Sequence, residues 1–184
     1  KHCVSSNDRE VVGEAVRALI ALGHRRIGFV RGPRGFRSAA EREKGFLEAS
    51  AEAGIELPSA YNAPGNYRYT AGIEAGEALL SLAEPPTAIF CSNDEMAAGV
   101  MSVAHDKRID VPGALSIIGF DDISFSSLSE PALTTVNSPR VEIGRRAVEA
   151  LMLTVDKPNQ QGIEIRIPTS LLKRDSTAPP RTGR

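Results

Sequence analysis

The amino-acid sequence predicts an α/β fold built on a doubly wound parallel sheet. The clearest signal is a strand–helix–strand pattern over residues 87–122. Two apolar runs, 87–91 and 116–120, are too short for helices and are bounded by turn-forming residues. Between them, apolar side chains recur at helical spacing, at Met96, Val100 and Val103. Two strands joined by one helix pair in parallel, so the alternation of strands and helices predicts helices on both faces of the sheet.

The elements before this unit follow the same alternation. The first helix has a capping-box-like start at Asn7 and Glu10, and Gly23 supplies a left-handed stop. The elements predicted before residue 87 are a helix at 7–22, a strand at 26–30, a helix at 38–53, a Pro-rich connection at 57–65 and a helix at 70–82.

The pattern continues after residue 122. The predicted elements there are a strand at 134–136, a helix at 140–155 and short strands at 164–167 and 171–173. The helix carries one apolar face, formed by Ile143, Ala147, Leu151 and Val155. The tail over 178–184 is rich in Pro, Arg and Gly, and we expect it to be disordered.

Composition excludes several classes of protein. The 184 residues include 22 Lys and Arg against 23 Asp and Glu, so the chain lacks the basic surface that nucleic-acid binding needs. No apolar run reaches the roughly 18–20 residues that span a bilayer, and no signal peptide is visible. Cys3 and Cys91 lie far apart in or beside apolar runs, which is typical of free thiols in a reducing cytoplasm.

The sequence also lacks the common signals of catalysis. It contains no nucleophile elbow, no His-Glu-x-x-His and no phosphate-binding loop of the Gly-x-x-x-x-Gly-Lys kind. Its three histidines are scattered, at His2, His24 and His105, and no Cys, His or Asp group has metal-ligand spacing. We therefore expect no catalytic residue, no metal site and no cofactor.

Two polar residues follow the strands of the central unit. Asn93 comes after the first apolar run and Asp121 after the second, so both are expected at the edge where open parallel sheets bind ligands. A neutral amide and a carboxylate suit a hydroxylated ligand better than a phosphate. Each residue also has a structural interpretation, because Asn93 can cap the following helix and Asp121 can serve a turn.

The order of the motifs resembles the effector-binding core of the lac repressor-like (LacI/GalR) family of bacterial transcription regulators. The resemblance covers about residues 4–180. The matching pieces are Leu22-Gly23-His24-Arg25-Arg26-Ile27, Arg42 with Gly45-Phe46, Pro86-Thr87-Ala88-Ile89-Phe90, Asn93-Asp94, Ala97-Ala98-Gly99, Ile118-Gly119-Phe120-Asp121-Asp122, Pro131-Ala132-Leu133-Thr134-Thr135-Val136 and Arg174-Asp175-Ser176-Thr177. Any one piece alone is a weak signal, but the ordered set is highly specific.

The resemblance implies a type I periplasmic-binding-protein-like fold with two doubly wound subdomains joined by three crossing strands. Part of the N-terminal subdomain and the hinge crossings would consist of residues 1–32 and 137–169. The C-terminal effector-binding and dimerisation subdomain would consist of residues 33–136 and 170–177. The disordered tail would be residues 178–184. The N-terminal subdomain would be incomplete. Because family members begin with a helix-turn-helix and a hinge, we also predict that the sequence is part of a longer protein.

The resemblance assigns ligand-binding roles to seven positions. These are Asp8, Ser38, Arg42, Tyr67, Asn93, Asp121 and Ser138. Arg42 would contact the ligand and Tyr67 would stack on a sugar ring or base. The alternatives are a solvated charged helix face for Arg42 and a half-buried loop residue for Tyr67. Many family members carry Gln at the position of Ser138, so this departure weakens any transfer of effector identity.

The resemblance also implies a homodimer. The residues that would form its interface are Met96, Val100, Val103, Phe125 and Leu128. The alternative for these residues is ordinary core packing.

These inferences together predict the effector-sensing and dimerisation core of a cytoplasmic transcriptional repressor. A small molecule, a sugar or related polyol, would bind between the subdomains. Operator DNA would be bound only through a helix-turn-helix outside this sequence, and no membrane partner is expected. The main alternative is a periplasmic sugar-binding protein of a transport system, because the fold alone does not separate the two. An enzyme on a doubly wound sheet is the weaker alternative.

Overall fold

The computed structural model describes residues 2–156 and 162–181. Its strands are β1 Cys3–Ser6, β2 Ile27–Val30, β3 Asn62–Ala63, β4 Ala88–Cys91, β5 Ser116–Asp121, β6 Thr134–Asn137, β7 Glu164–Ile167 and β8 Ser170–Leu172. Its α-helices are α1 Asp8–Ala21, α2 Arg37–Glu52, α3 Tyr69–Leu80, α4 Asp94–Asp106, α5 Ser124–Leu128 and α6 Arg140–Asp156. None of the helices in these ranges is both long and apolar enough to span a membrane.

Most of the chain is organised around one six-stranded sheet. Its strand order is β3-β2-β4-β5-β6-β8, in which only β8 runs antiparallel to its neighbour. Helices α1 and α2 pack together over one face, whereas α3 and α4 pack together over the other. The predicted doubly wound parallel architecture is therefore confirmed.

Each face of this sheet has its own apolar core. The core under α1 and α2 contains a stack of Phe29 on Phe46, with ring centroids 4.6 Å apart. The strand residues Ile118 and Phe120 complete it. The opposite core is built from the alternate strand residues, including Ile89 and Ile117, because successive side chains of a strand point to opposite faces.

A second, small sheet consists of β1 and β7, which pair in parallel and carry α6 on one side. The expected division of the chain is corrected at residues 8–32. Helix α1 and strand β2 belong to the large sheet, because β2 pairs with both β3 and β4 and the apolar face of α1 lies in the same core as Phe46.

Three short segments connect the two sheets, at Asn7, at residues 138–139 and at residues 168–169. The side chain of Asn7 does not cap α1, which corrects the capping-box prediction. Its Oδ1 instead accepts hydrogen bonds from the backbone N–H of Thr169, at 2.7 Å, and from the Thr169 hydroxyl, at 2.6 Å. Asn7 therefore joins the first connecting segment to the third.

The beginning of the C-terminal tail is ordered, contrary to expectation. Ala178 donates its N–H to the Ser116 hydroxyl at 3.0 Å, and its carbonyl accepts from His24 Nε2 at 2.9 Å. Arg181 forms an ion pair with Asp110 at 2.6 Å. The rest of the predicted disordered tail, residues 182–184, lies outside the described residues.

Three of the five residues predicted for a dimer interface lie inside the chain's own core. Met96, Val100 and Val103 have exposed fractions of 0%, 0% and 2%, because this face of α4 packs against α3. They offer no surface to a second copy, and the core-packing alternative is the correct one. Phe125 is partly buried, and Leu128 is 81% exposed.

Glycines set the close approach of α3 and α4. A Cβ atom at Gly99 would meet the Tyr69 carbonyl oxygen and would lie 2.7 Å from the Ile73 nitrogen. A Cβ at Gly72 would meet the backbone of Met96, with its Cα at 2.7 Å. Any side chain at these positions must therefore push one helix backbone away from the other.

We expect Gly99→Ala to lower the free energy of unfolding by about 1–3 kcal/mol, because the two helices must separate. Gly144→Ala is the matched control, since Gly144 also lies in a helix but its Cβ would meet nothing within 4 Å. That substitution should raise stability by up to about 1 kcal/mol through helix propensity. Urea denaturation measures both, and equal effects would contradict the packing argument.

Candidate functional site

A cleft lies at the carboxyl edge of the large sheet, where β4 and β5 end. Its volume is about 530 Å³, within the range typical of small-molecule sites. Four of the predicted ligand-binding residues line it together: Arg42, Tyr67, Asn93 and Asp121. These residues come from four separate parts of the chain, and the parallel sheet brings them to one edge.

Arg42 anchors the floor of the cleft. Although it lies in a charged stretch of α2, its exposed fraction is only 8%, which rules out a solvated helix face. Its Nε donates to Asp8 Oδ2 at 2.8 Å and its Nη1 donates to the Ser92 carbonyl at 2.5 Å. The guanidinium also lies 3.5 Å from the ring centroid of Phe120. Asp121 is less tightly bound, with 3.9 Å between Arg42 Nη2 and Asp121 Oδ1.

Asn93 combines the predicted capping role with a second structural one. Its Oδ1 accepts from the Met96 N–H at 3.0 Å and thereby caps α4. Its Nδ2 donates to the Tyr67 carbonyl at 2.9 Å. An amide has two N–H donors and two acceptor lone pairs, so one of each is left after these bonds for another group.

Tyr67 places its ring in the cleft through an unusual backbone conformation. Its φ is +68°, in the left-handed region that costs a non-glycine residue about 1–2 kcal/mol. The hydrogen bond from Asn93 holds this residue in place. The ring lies 5.8 Å from the Arg42 guanidinium and makes an edge-to-face contact with Phe36.

Asp121 and Asp122 end β5 with two further positive φ angles, +113° and +53°. Burial raises the pKa of the Asp121 carboxyl to about 6, while the positive charge of Arg42 opposes this shift. Burial also opposes ionisation of Asp122, but hydrogen bonds from Arg174 and Asn137 outweigh it and lower the pKa of that carboxyl. Asp122 therefore supports the turn, and Asp121 faces the cleft.

The remaining three predicted site residues lie elsewhere. Asp8 and Ser38 line a neighbouring pocket of about 300 Å³ against β1, and Asp8 contacts the cleft only through Arg42. Ser138 is not among the described residues that line either cavity. Its carbonyl accepts from the Arg140 N–H at 2.7 Å.

Sequence reasoning missed two functional features of this region. Phe36 lines the mouth of the cleft, but a single aromatic after a Gly-Pro-Arg-Gly loop has no periodic signal. Asp94 is fully buried and accepts hydrogen bonds from Thr135, Ser126 and the Ile123 N–H, at 2.6, 2.7 and 3.0 Å. It fastens the start of α4 to β6 and α5, although burial raises its pKa.

The described thiols and acidic groups form neither a disulfide nor a metal-ligand cluster. Both cysteines are free, and burial raises the pKa of the Cys91 thiol well above its usual range. Within residues 2–156 and 162–181, no group of three or more His, Cys, Asp or Glu side chains could hold a metal ion.

The chain is similar in sequence to a known domain family and to curated repressors. The model of the periplasmic binding protein-like domain family matches residues 16–177. The chain is 39% identical to the probable HTH-type transcriptional repressor ExuR of Bacillus subtilis, over 94% of this chain and 52% of that protein. It is 41% identical to the HTH-type transcriptional repressor CytR of Escherichia coli, over 82% of this chain and 43% of that protein. It thus spans about half the length of these curated relatives.

Solved structures agree with this result. A LacI family transcriptional regulator from Mycobacterium smegmatis is 32% identical, with a TM-score of 0.89 over 96% of this chain and 66% of that one. A LacI family regulator from Enterococcus faecium with bound ribose is 28% identical, with a TM-score of 0.90 over 97% of this chain and 66% of that one.

We expect Asp8→Ala to lower the free energy of unfolding by about 3–5 kcal/mol, because it leaves the buried Arg42 charge without its nearest carboxylate. Glu48→Ala is the matched control. It removes the solvent-exposed ion pair with Arg9 and should cost less than about 1 kcal/mol. Urea denaturation distinguishes the two, and a similarly small loss in both would show that the Arg42–Asp8 pair does not hold the cleft together.

Proposed function

This chain belongs to the periplasmic binding protein-like domain family, and we propose that it is the effector-binding core of a LacI-family transcriptional repressor. The observation that carries the proposal is the convergence of Arg42, Tyr67, Asn93 and Asp121 in one cleft at the carboxyl edge of the sheet. Because the curated relatives are repressors, neither the transport protein nor the enzyme considered from the sequence is favoured.

The chemistry of the cleft suits a neutral, hydroxylated ligand. Asp121 supplies acceptor oxygens, and Asn93 retains one donor and one acceptor. The positive charge of Arg42 is already balanced by Asp8 and Asp121, so an anionic ligand would find no unpaired cation at this position. A sugar or related polyol, whose hydroxyls both donate and accept, satisfies this arrangement. Similar regulators hold ribose and cellobiose in their solved structures.

Such groups also provide selectivity. A buried polar group that loses its partner is costly, so a ligand lacking the matching hydroxyl is rejected strongly. In this proposal Asp8 acts by positioning Arg42, while Ser38 contacts ligand from the first turn of α2 and Ser138 from a connecting segment. Ser38 already lies beside Asp8, in the pocket next to the cleft.

The small sheet and α6 are the second part of the proposed mechanism. We assign them to a second subdomain that closes over the ligand, joined to the large sheet through the segments at Asn7, 138–139 and 168–169. Effector binding would change the relation of the two subdomains and thereby the affinity of a helix-turn-helix for operator DNA. A coupling free energy of about 1–3 kcal/mol is typical of such regulation.

Dimerisation completes the proposal. Two-fold pairing is the commonest form of protein oligomer. Of the residues considered, Leu128 is exposed and Phe125 lines a groove of about 480 Å³ beside α4, so these two remain candidates for the interface.

Calorimetric titration of the complete regulator with a panel of sugars and nucleosides tests the proposed function. We expect at least one compound to bind, and Arg42→Ala to weaken that binding by about ten-fold or more, the effect of losing one charged hydrogen bond. Arg17→Ala is the matched control, because Arg17 forms only an exposed ion pair with Glu52. Unchanged affinity in Arg42→Ala would remove this cleft from the ligand site.

Binding should also depend on pH through Asp121, whose pKa is about 6. A ligand hydroxyl that donates to Asp121 favours the ionised carboxylate, so affinity should rise as pH increases through this value. Between pH 7 and pH 5 we expect the dissociation constant to increase about ten-fold. Asp121→Asn should bind more weakly and show no such dependence. A parallel pH response in the two proteins would exclude Asp121 as the titrating group.

A further inference from the structure

The mouth of the cleft contains an exposed aromatic side chain that the proposed sugar contacts do not use. Phe36 immediately precedes α2 and is 58% exposed. Four of the six phenylalanines in the chain, Phe29, Phe46, Phe90 and Phe120, are by contrast fully buried. Phe36 makes no capping hydrogen bond and lines the same cleft as Arg42 and Asp121. Its ring is therefore accessible to a ligand bound in the cleft.

Phe36 forms a corner with Tyr67. The two ring centroids are 6.3 Å apart and the ring planes are inclined at 82°, so the rings make two nearly perpendicular apolar walls. Tyr67 is held in this position by its hydrogen bond from Asn93 and by its left-handed backbone. The Tyr67 ring, which is one wall of the corner, is thus fixed in position. It lies next to the polar side chains that line the cleft.

A simple sugar gains little from the second wall. Its ring has an apolar face that stacks on one aromatic ring, but its perimeter carries hydroxyls. Hydroxyls set against the second wall would lose water without gaining a hydrogen bond, which is unfavourable. A planar unsaturated ring can use both walls, because it stacks on one aromatic ring while its edge meets the face of the other.

From this geometry we propose that Phe36 is a specificity-determining residue that selects sugars carrying a planar unsaturated ring. Nucleosides and aryl glycosides share this chemistry. The planar ring occupies the corner of Phe36 and Tyr67, and the sugar hydroxyls contact Asp121, Asn93 and Arg42. The inference rests on the proposed function and narrows the class of its effector.

Two matched ligand pairs test the inference by calorimetry on the complete regulator. The pairs are adenosine with methyl β-D-riboside and phenyl β-D-glucoside with methyl β-D-glucoside. In at least one pair we expect the compound with the planar ring to bind about ten-fold more tightly or better. A preference in the first pair identifies the nucleoside source, and one in the second identifies the glycoside source.

Variants then test whether Phe36 causes the preference for the compound with the planar ring. Phe36→Ala should abolish it while leaving the affinity for the methyl compound within two-fold. Because Phe36 is exposed, this change should not disturb folding. Leu47→Ala is the control. Leu47 is an exposed apolar residue of α2 that lies outside the cleft, so this change should alter the affinity for neither compound of a pair.

Two results would overturn the inference alone: equal affinities within both pairs, or an equal loss for both compounds of a pair in Phe36→Ala. In either case sugars still bind and the proposed function stands. If neither these four compounds nor any member of the wider sugar and nucleoside panel binds, the proposed function fails and the inference fails with it.

Discussion

The buried guanidinium of Arg42 is the constraint on which the candidate site depends. It joins α2 to α1 through Asp8 and to the end of β4 through the Ser92 carbonyl, and it lies over Phe120 of β5. A buried charge must be paired, so these contacts fix the relative positions of three strand and helix ends. They also leave Asp121 only loosely paired, at 3.9 Å, and therefore able to accept a hydrogen bond from a ligand.

Three residues at or beside the cleft have backbone conformations that most residues avoid. Tyr67, Asp121 and Asp122 all have positive φ angles. A hydrogen bond from Asn93 holds Tyr67, and an ion pair with Arg174 holds Asp122. Such strain is typical of sites where a side chain must be presented in one orientation. The fully buried Asp94 carboxylate fixes the position of α4, because its three hydrogen bonds join the start of this helix to neighbouring elements.

The sequence predicted those features that depend on local pattern or on strand order. The apolar runs located β4 and β5, and the capping role of Asn93 followed from its position before a helical stripe. Features that depend on distant partners were not predictable. Asn7 bonds to Thr169, far along the chain, instead of capping α1. The apolar stripe that begins at Met96 indicates a buried helix face. It does not indicate whether the chain's own core or a second copy of the chain covers that face. The motif resemblance predicted that Arg42 lies in the site, whereas the charged residues beside it in the sequence favoured a solvated helix face.

A crystal structure of the complete regulator with its effector would show whether the ligand binds in the cleft that Arg42 organises. We expect a ligand at the carboxyl edge of the large sheet, with hydroxyls bonded to Asp121 and Arg42 and a ring against Tyr67. The Arg42–Asp8 ion pair should be retained beneath it. A ligand bound elsewhere on the protein, or one in this cleft that touches neither Arg42 nor Asp121, would contradict the account.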